Sequence, residues 1–286
     1  MLKRSRDAAA AGAGSAPAGA ELRGATRSAR PDPSRPGTAP DAVTLEAVDK
    51  IDAALRAEGT PERAVQEKRY LKSALTHYGA TVPAIRRVAL TFLREGAGAA
   101  FGAAELRLLT EELWDREVFD LRFAAAELLT ARAGDLGIAD LAWLEPLLRR
   151  AHTWALVDGL AVDVVTPILA GAPAAGRQVV ARWARDDDFW IRRTALLSFL
   201  RGLRAGDDDA FARFAALAEP MLPERESFIR KAIGWCLREY GKRRPDALAA
   251  WLMARAAGAS GVTVREAVRH LPSVQREAVL AAYRNR

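Results

Sequence analysis

Four segments of this chain open on an aromatic residue, continue as an apolar helix and can be laid over one another in register. They are FDLRFAAAELL from Phe119, WALVDGLAVDVV from Trp154, WIRRTALLSFL from Trp190 and FIRKAIGWCL from Phe228, with leading aromatics 35, 36 and 38 residues apart. TVREAVRHL, from Thr263, repeats the later part without the aromatic. A period of this length fits one helix pair per repeat, and a helix pair leaves an apolar face that only the next pair can cover. Such a chain stacks into a solenoid with an extended concave surface.

The rest of the sequence agrees. Apolar residues recur at three- and four-residue steps in AVTLEAVDKIDAAL, ERAVQEKRYLKSAL, VPAIRRVALTFL and AELRLLTEELW. Breaks rich in Gly, Pro or Asp separate them, at 59–61, 79–83, 134–137, 171–176, 206–209 and 220–223. No segment alternates in the two-residue rhythm of a half-buried strand. The expected fold is all-α, a HEAT-like helical-repeat solenoid with a concave basic face. It divides into an Ala/Gly/Pro/Arg-rich arm over residues 1–42, expected to be disordered for want of large apolar side chains, and a repeat domain over 43–286.

The formal net charge of +7 points to a polyanionic partner, nucleic acid before membrane surface. Cys236 is the only cysteine, which rules out an intramolecular disulfide and fits a reducing, cytoplasmic setting. No apolar run approaches the roughly 20 residues that span a bilayer, so no membrane association is expected. His77, His152 and His270 lie far apart and have no cysteine company, and neither a metal nor any other cofactor is expected.

The repeat register exposes positions that break the pattern. Three residues after the leading aromatic stand Arg122, Val157, Arg193 and Lys231, three cations of four. A row of cations along one face of a solenoid is the footprint expected for a nucleic-acid backbone, and Arg192, Arg230, Arg238, Lys242, Arg265 and Arg269 thicken it. One position further on, Asp158 is the sole carboxylate, where the other repeats have Phe123, Thr194 and Ala232. It shares a helix face with Trp154 in a nearly apolar segment, where a carboxylate needs either an arginine partner or a chemical task. Asp163, about 140° further round the helix, suits a structural role. Seven positions after the aromatic, Trp235 replaces the smaller aliphatics of the other repeats.

These residues resemble the AlkD-type DNA alkylation repair family over about residues 45–285. SFIRKAIGWCLREYGK looks like that family's FIQKAIGWxLREY signature, DFWIRRTAL like its IWLQRxAI segment, and TWALVD like its WWDxVD segment. VREAVRHL is similar to its basic final helix, and KRYLKSALTHYGATVP more loosely to its N-terminal YMKN…GIxTP region. The resemblance implies a DNA glycosylase that releases N3- or N7-alkylated purines from duplex DNA, acting as a monomer and without flipping the base out of the helix. By match to its motifs, Asp158 would be the catalytic carboxylate and Trp154 and Trp235 the groove tryptophans against the sugar–phosphate backbone. Arg193 would contact the DNA backbone, and Tyr70 would stand beside the lesion. Thr153, Ala155 and Thr81 depart from the family pattern and bear on substrate range. Two rivals are a non-catalytic HEAT-repeat protein that binds damaged or branched DNA and a protein-binding scaffold.

Overall fold

A computed structural model describes residues 41–285. The arm expected over 1–42 lies outside them except for its last two residues, and these belong to the first helix. Asp41 is the N-cap of α1 (Ala42–Glu58), its carboxylate accepting the Thr44 N–H at 2.8 Å. Thr60 with Pro61 starts α2 (Pro61–Leu71), and Thr81 with Pro83 starts α3 (Val82–Arg94), each hydroxyl accepting an N–H of the first turn. Gly79 lies between them at φ +83°, where a Cβ would meet the Thr60 carbonyl oxygen at 2.3 Å, so only glycine fits that turn.

The succeeding helices are α4 (Ala103–Asp115), α5 (Phe119–Ala131), α6 (Leu141–Arg149), α7 (Trp154–Gly159), α8 (Thr166–Gly171), α9 (Pro173–Trp183) and α10 (Phe189–Leu197). They are followed by α11 (Leu200–Ala205), α12 (Asp208–Ala218), α13 (Ser227–Gly241), α14 (Pro245–Met253), α15 (Gly261–Ala267) and α16 (Ser273–Arg284). The described residues contain no strand, and only one isolated bridge, Thr76 to Val118, interrupts the helical pattern. The fold is all-α and HEAT-like, as the repeat requires.

The leading aromatics of the sequence repeat stand at the first or second position of α5, α7, α10 and α13. Helices α3, α5, α7, α10, α13 and α15 contact one another in that order, and α1, α4, α9 and α14 back this row. Their apolar faces form two clusters of buried residues, one running from Ala47 to Ala195 and one from Ala161 to Val279. Phe189, Phe199, Leu217 and Ala184 pack against both and join them.

Helices α7 and α8 are one continuous apolar rod, interrupted by a π turn over Leu160–Val165. Pro167 has no N–H, and in α-helical spacing its ring would crowd the Asp163 carbonyl. The wider turn relieves this: the Thr166 N–H reaches back five residues to the Ala161 carbonyl, and the Thr166 hydroxyl donates to the same oxygen at 2.8 Å. The rod from Trp154 to Gly171 is 18 residues long with mean hydropathy 1.5, an apolar run close to bilayer length where none was expected. Half of it is buried inside the protein, as a helix in the inner row must be.

Candidate active site

The site begins where α7 begins. Thr153 caps the helix, its hydroxyl accepting the Ala155 N–H at 3.4 Å, and Trp154 takes the first helical position. Trp154 is half-buried, and the ring of Tyr70 from α2 meets it edge-on, with centroids 6.0 Å apart and planes at 77°. Tyr70 is half exposed. Two aromatics 84 positions apart in the sequence numbering therefore form one corner.

One helical turn beyond Trp154, Asp158 is 4% exposed. Both of its oxygens are held by Arg193 of α10: Nε donates to Oδ1 at 2.7 Å and Nη2 to Oδ2 at 2.8 Å. The third guanidinium edge donates through Nη1 to the Phe228 carbonyl at 2.6 Å. A bidentate pair of this kind fixes the carboxylate's plane and leaves each oxygen a further acceptor position.

This geometry ties α7 to α13 through Arg193, which is 5% exposed with its donors on Asp158 and a backbone carbonyl. Arg122 is buried in a similar way. It is 2% exposed, with Nε on the Trp114 carbonyl at 2.7 Å and Nη1 on the Arg150 carbonyl at 2.6 Å. Burial, and then the nearby Arg150 charge, push its pKa down to about 10. The physical reason is common to both: three residues after the leading aromatic, the side chain points at the neighbouring repeat, where Val157 is also fully buried.

Lys231 occupies the same register but is exposed, as are Arg265 and Arg269 on the last repeat. Arg230 is half-buried and donates through Nε to the Glu224 carbonyl at 2.5 Å. The exposed cations among these are therefore on the C-terminal repeats rather than in an unbroken row.

Trp235 is 5% exposed within the second core cluster, and the Arg204 guanidinium of α11 lies over its ring at 5.7 Å.

His152 is a neighbour that the sequence did not single out. It adopts a left-handed backbone, φ 58°, two residues before Trp154, and its imidazole is exposed. Partial burial, and then the Arg122 charge, hold its pKa below the ordinary 6.5, so the ring is neutral at pH 7. Together these groups present an aromatic corner and one oriented carboxylate. That set can stabilise positive charge developing on a bound group, but it has no evident strong acid to protonate a poor leaving group.

Three comparisons bear on this arrangement. A family model described as "DNA alkylation repair enzyme" matches residues 51–271. A solved structure titled as a predicted DNA alkylation repair enzyme from Enterococcus faecalis aligns with a TM-score of 0.67 at 19% identity, covering 76% of this chain and 98% of that one. The alkylpurine DNA glycosylase AlkC of Pseudomonas fluorescens, bound to DNA containing an abasic site analog, aligns with a TM-score of 0.50 at 14% identity, covering 84% of this chain and 65% of that one. At these identities the structural likeness speaks for the fold. Among curated proteins no sequence matches.

Proposed function

The chain belongs to the DNA alkylation repair enzyme family, and from that premise we propose that it is an AlkD-type glycosylase hydrolysing the N-glycosidic bond of N3- or N7-alkylated purines in duplex DNA. The observation that carries this reading is the meeting of Tyr70, Trp154 and the fixed Asp158 carboxylate at the first turns of α7. The unit that acts is the repeat domain, residues 43–286, working as a cytoplasmic monomer.

Alkylation at N3 or N7 gives the purine a formal positive charge, so it departs as a neutral base. The sugar left behind passes through an oxocarbenium-like transition state. Such a reaction needs negative charge near the anomeric carbon and a placed water, and does not need an acid on the leaving group. Asp158 supplies the charge and accepts a hydrogen bond from the water. Arg193 holds the carboxylate plane in place before DNA arrives, so no reorganisation is needed at the moment of bond cleavage. The electron-rich faces of Trp154 and Tyr70 line the sugar's approach and add cation–π attraction as its charge develops. Lys231, Arg265 and Arg269 are placed to neutralise phosphates, a sequence-independent attraction that supplies most of the affinity.

The test is release of free 7-methylguanine from methylated duplex DNA by the purified chain. Release above the spontaneous rate supports the reading. A DNA mobility shift without release would favour a non-catalytic DNA binder, and neither signal would favour a protein scaffold.

A further inference from the structure

Away from the α7 site, three ionisable side chains from separate elements meet in one buried place. Glu67 comes from α2, His77 from the loop before α3, and Asp120 from the first turn of α5, and one ligand-capable atom of each lies within 4.8 Å of the others. His77 is 1% exposed in its side chain, stacked on Phe119 with ring centroids 4.7 Å apart, with Nδ1 3.0 Å from the Glu67 carboxylate. Its Nε2 is buried and has no hydrogen-bond partner. Asp120 is fully buried and accepts the N–H groups of Tyr78 at 2.8 Å and Ala80 at 2.9 Å.

A loop-locking network accounts for part of this. The Asp120 carboxylate ties down the backbone of residues 78–80, and Arg63 reaches both Glu67 and the Ala80 carbonyl at 3.3 Å. It leaves two things unexplained. Two carboxylates, one buried and one partly buried, sit close enough to repel, each offering an oxygen within 4.8 Å of the other. Beside them is a buried imidazole nitrogen with nothing to bind. A cation among the three groups answers both.

We propose that Glu67, His77 and Asp120 form a site for a divalent metal of the zinc class, with water as the fourth ligand. One imidazole and two carboxylates are the donors that zinc accepts, whereas calcium and magnesium favour all-oxygen sets of six or more. Ligand distances of about 2.0–2.2 Å require the three groups to draw together modestly from their present spacing. The metal would be structural. It would clamp α2 to α5, and Tyr70 follows Glu67 by three residues on α2, so the clamp would set the aromatic that meets Trp154. The site is independent of the glycosylase reading, because its metal can be measured without DNA.

The experiment uses the full-length chain with any affinity tag removed. The protein is stripped with chelator, offered Zn²⁺, passed through gel filtration and assayed for metal by mass spectrometry. Co²⁺ is the spectroscopic probe, since a tetrahedral N/O site gives it visible d–d absorption. One zinc per chain and a raised melting temperature are expected. Glu67→Gln and His77→Phe should each weaken binding by more than the roughly 10–100-fold that loss of an outer hydrogen-bond partner costs, with unchanged far-ultraviolet circular dichroism. His77→Phe keeps the stack on Phe119; should it not fold, the nearly isosteric Glu67→Gln decides. Wild-type protein that leaves the column without zinc overturns the proposal. So does binding undiminished in the folded variants, which would place the metal on exposed histidines instead.

Discussion

The Asp158 carboxylate has two demands on it: it balances a buried guanidinium, and it is the proposed source of negative charge for the reaction. Asp158→Asn keeps the shape and one acceptor oxygen but leaves the Arg193 charge uncompensated at 5% exposure. Breaking a buried pair costs about 3–5 kcal/mol when a partner is removed outright, so the melting temperature should fall as well as the rate. Calorimetry and 7-methylguanine release per folded molecule separate the two effects; full excision by the folded fraction would remove Asp158 from the mechanism. The tryptophans divide differently. Trp235→Ala should open a core cavity and cost about 3–5 kcal/mol, whereas Trp154→Ala, at the half-buried corner with Tyr70, should cost clearly less and abolish most excision. A loss well under about 3 kcal/mol for Trp235→Ala would overturn its core placement. The sequence identified Trp235 as out of pattern, but an unusual residue in a repeat is equally what a core adopts to fill a larger gap. Only the position of α11, which brings Arg204 over the ring, distinguishes the two.

At the scale of helices, Arg122 and Lys231 share a register and do opposite work. Arg122 binds a carbonyl in the last turn of α4 and another at the end of α6, where helix termini leave acceptors without partners. Arg122→Ala strands both carbonyls, each at about 1–3 kcal/mol, and should lower stability while leaving the salt dependence of DNA binding unchanged. Lys231→Ala should do the reverse, lowering the slope of log K against log salt by about one with little change in melting temperature. A reduced slope for Arg122→Ala would show that its charge reaches the DNA after all. The start of α1 gives a further check. Asp41→Ala removes the bond to the Thr44 N–H and should cost about 1 kcal/mol, measurable by urea unfolding; no loss would detach Asp41 from the fold. These elements were partly legible in advance. Thr60 with Pro61 and Thr81 with Pro83 mark helix starts that any reading of caps would find. The aromatic register located α5, α7, α10 and α13 because a leading aromatic packs against the core at each helix start, Phe119 and Trp190 buried and Trp154 and Phe228 partly so. What a cation at a given register binds was not legible, because the acceptor carbonyls of Trp114, Arg150 and Phe228 belong to other elements and carbonyls leave no mark in sequence.

For the whole molecule, a solenoid could be read from the chain because its contacts link neighbouring repeats at a fixed period. The meeting of Glu67 with His77 and Asp120, or of Tyr70 with Trp154, could not be read that way, since it depends on how the N-terminal helices fold against the repeat row. The same architecture distributes charge in a way that fixes how stability responds to acid. Glu145 is partly buried, which raises its pKa, but hydrogen bonds from Arg182, Arg149 and Trp183 outweigh burial and bring it below the ordinary 4.5. Glu239 behaves alike, burial being overcome by Lys242, Arg204 and Arg238. Asp186 is lowered below 3.8 chiefly by its hydrogen bonds from Arg149, and Asp52 by Arg56 and Tyr78 against burial. A carboxyl whose folded pKa is depressed contributes stability that is complete above its unfolded pKa and is lost as pH falls through the folded one. Asp120 opposes them: raised by burial, it costs stability once the unfolded chain can ionise, and that cost disappears on acidification. These depressed groups, joined by Asp41, Glu46 and Asp208, against the one raised carboxyl make the net direction clear. The melting temperature should begin to fall slightly below pH 6.5, because burial first and neighbouring cations after it hold His152 and His270 below that ordinary value. It should then fall progressively as the pH passes 4.5 and 3.8, the ordinary values of these groups. Calorimetric scans at constant ionic strength measure it directly. A melting temperature that climbs steadily on acidification from pH 7 to pH 4 would mean that the buried Asp120 outweighs all the arginine-bound carboxylates. The repeat joints they occupy would then contribute little to holding the solenoid together.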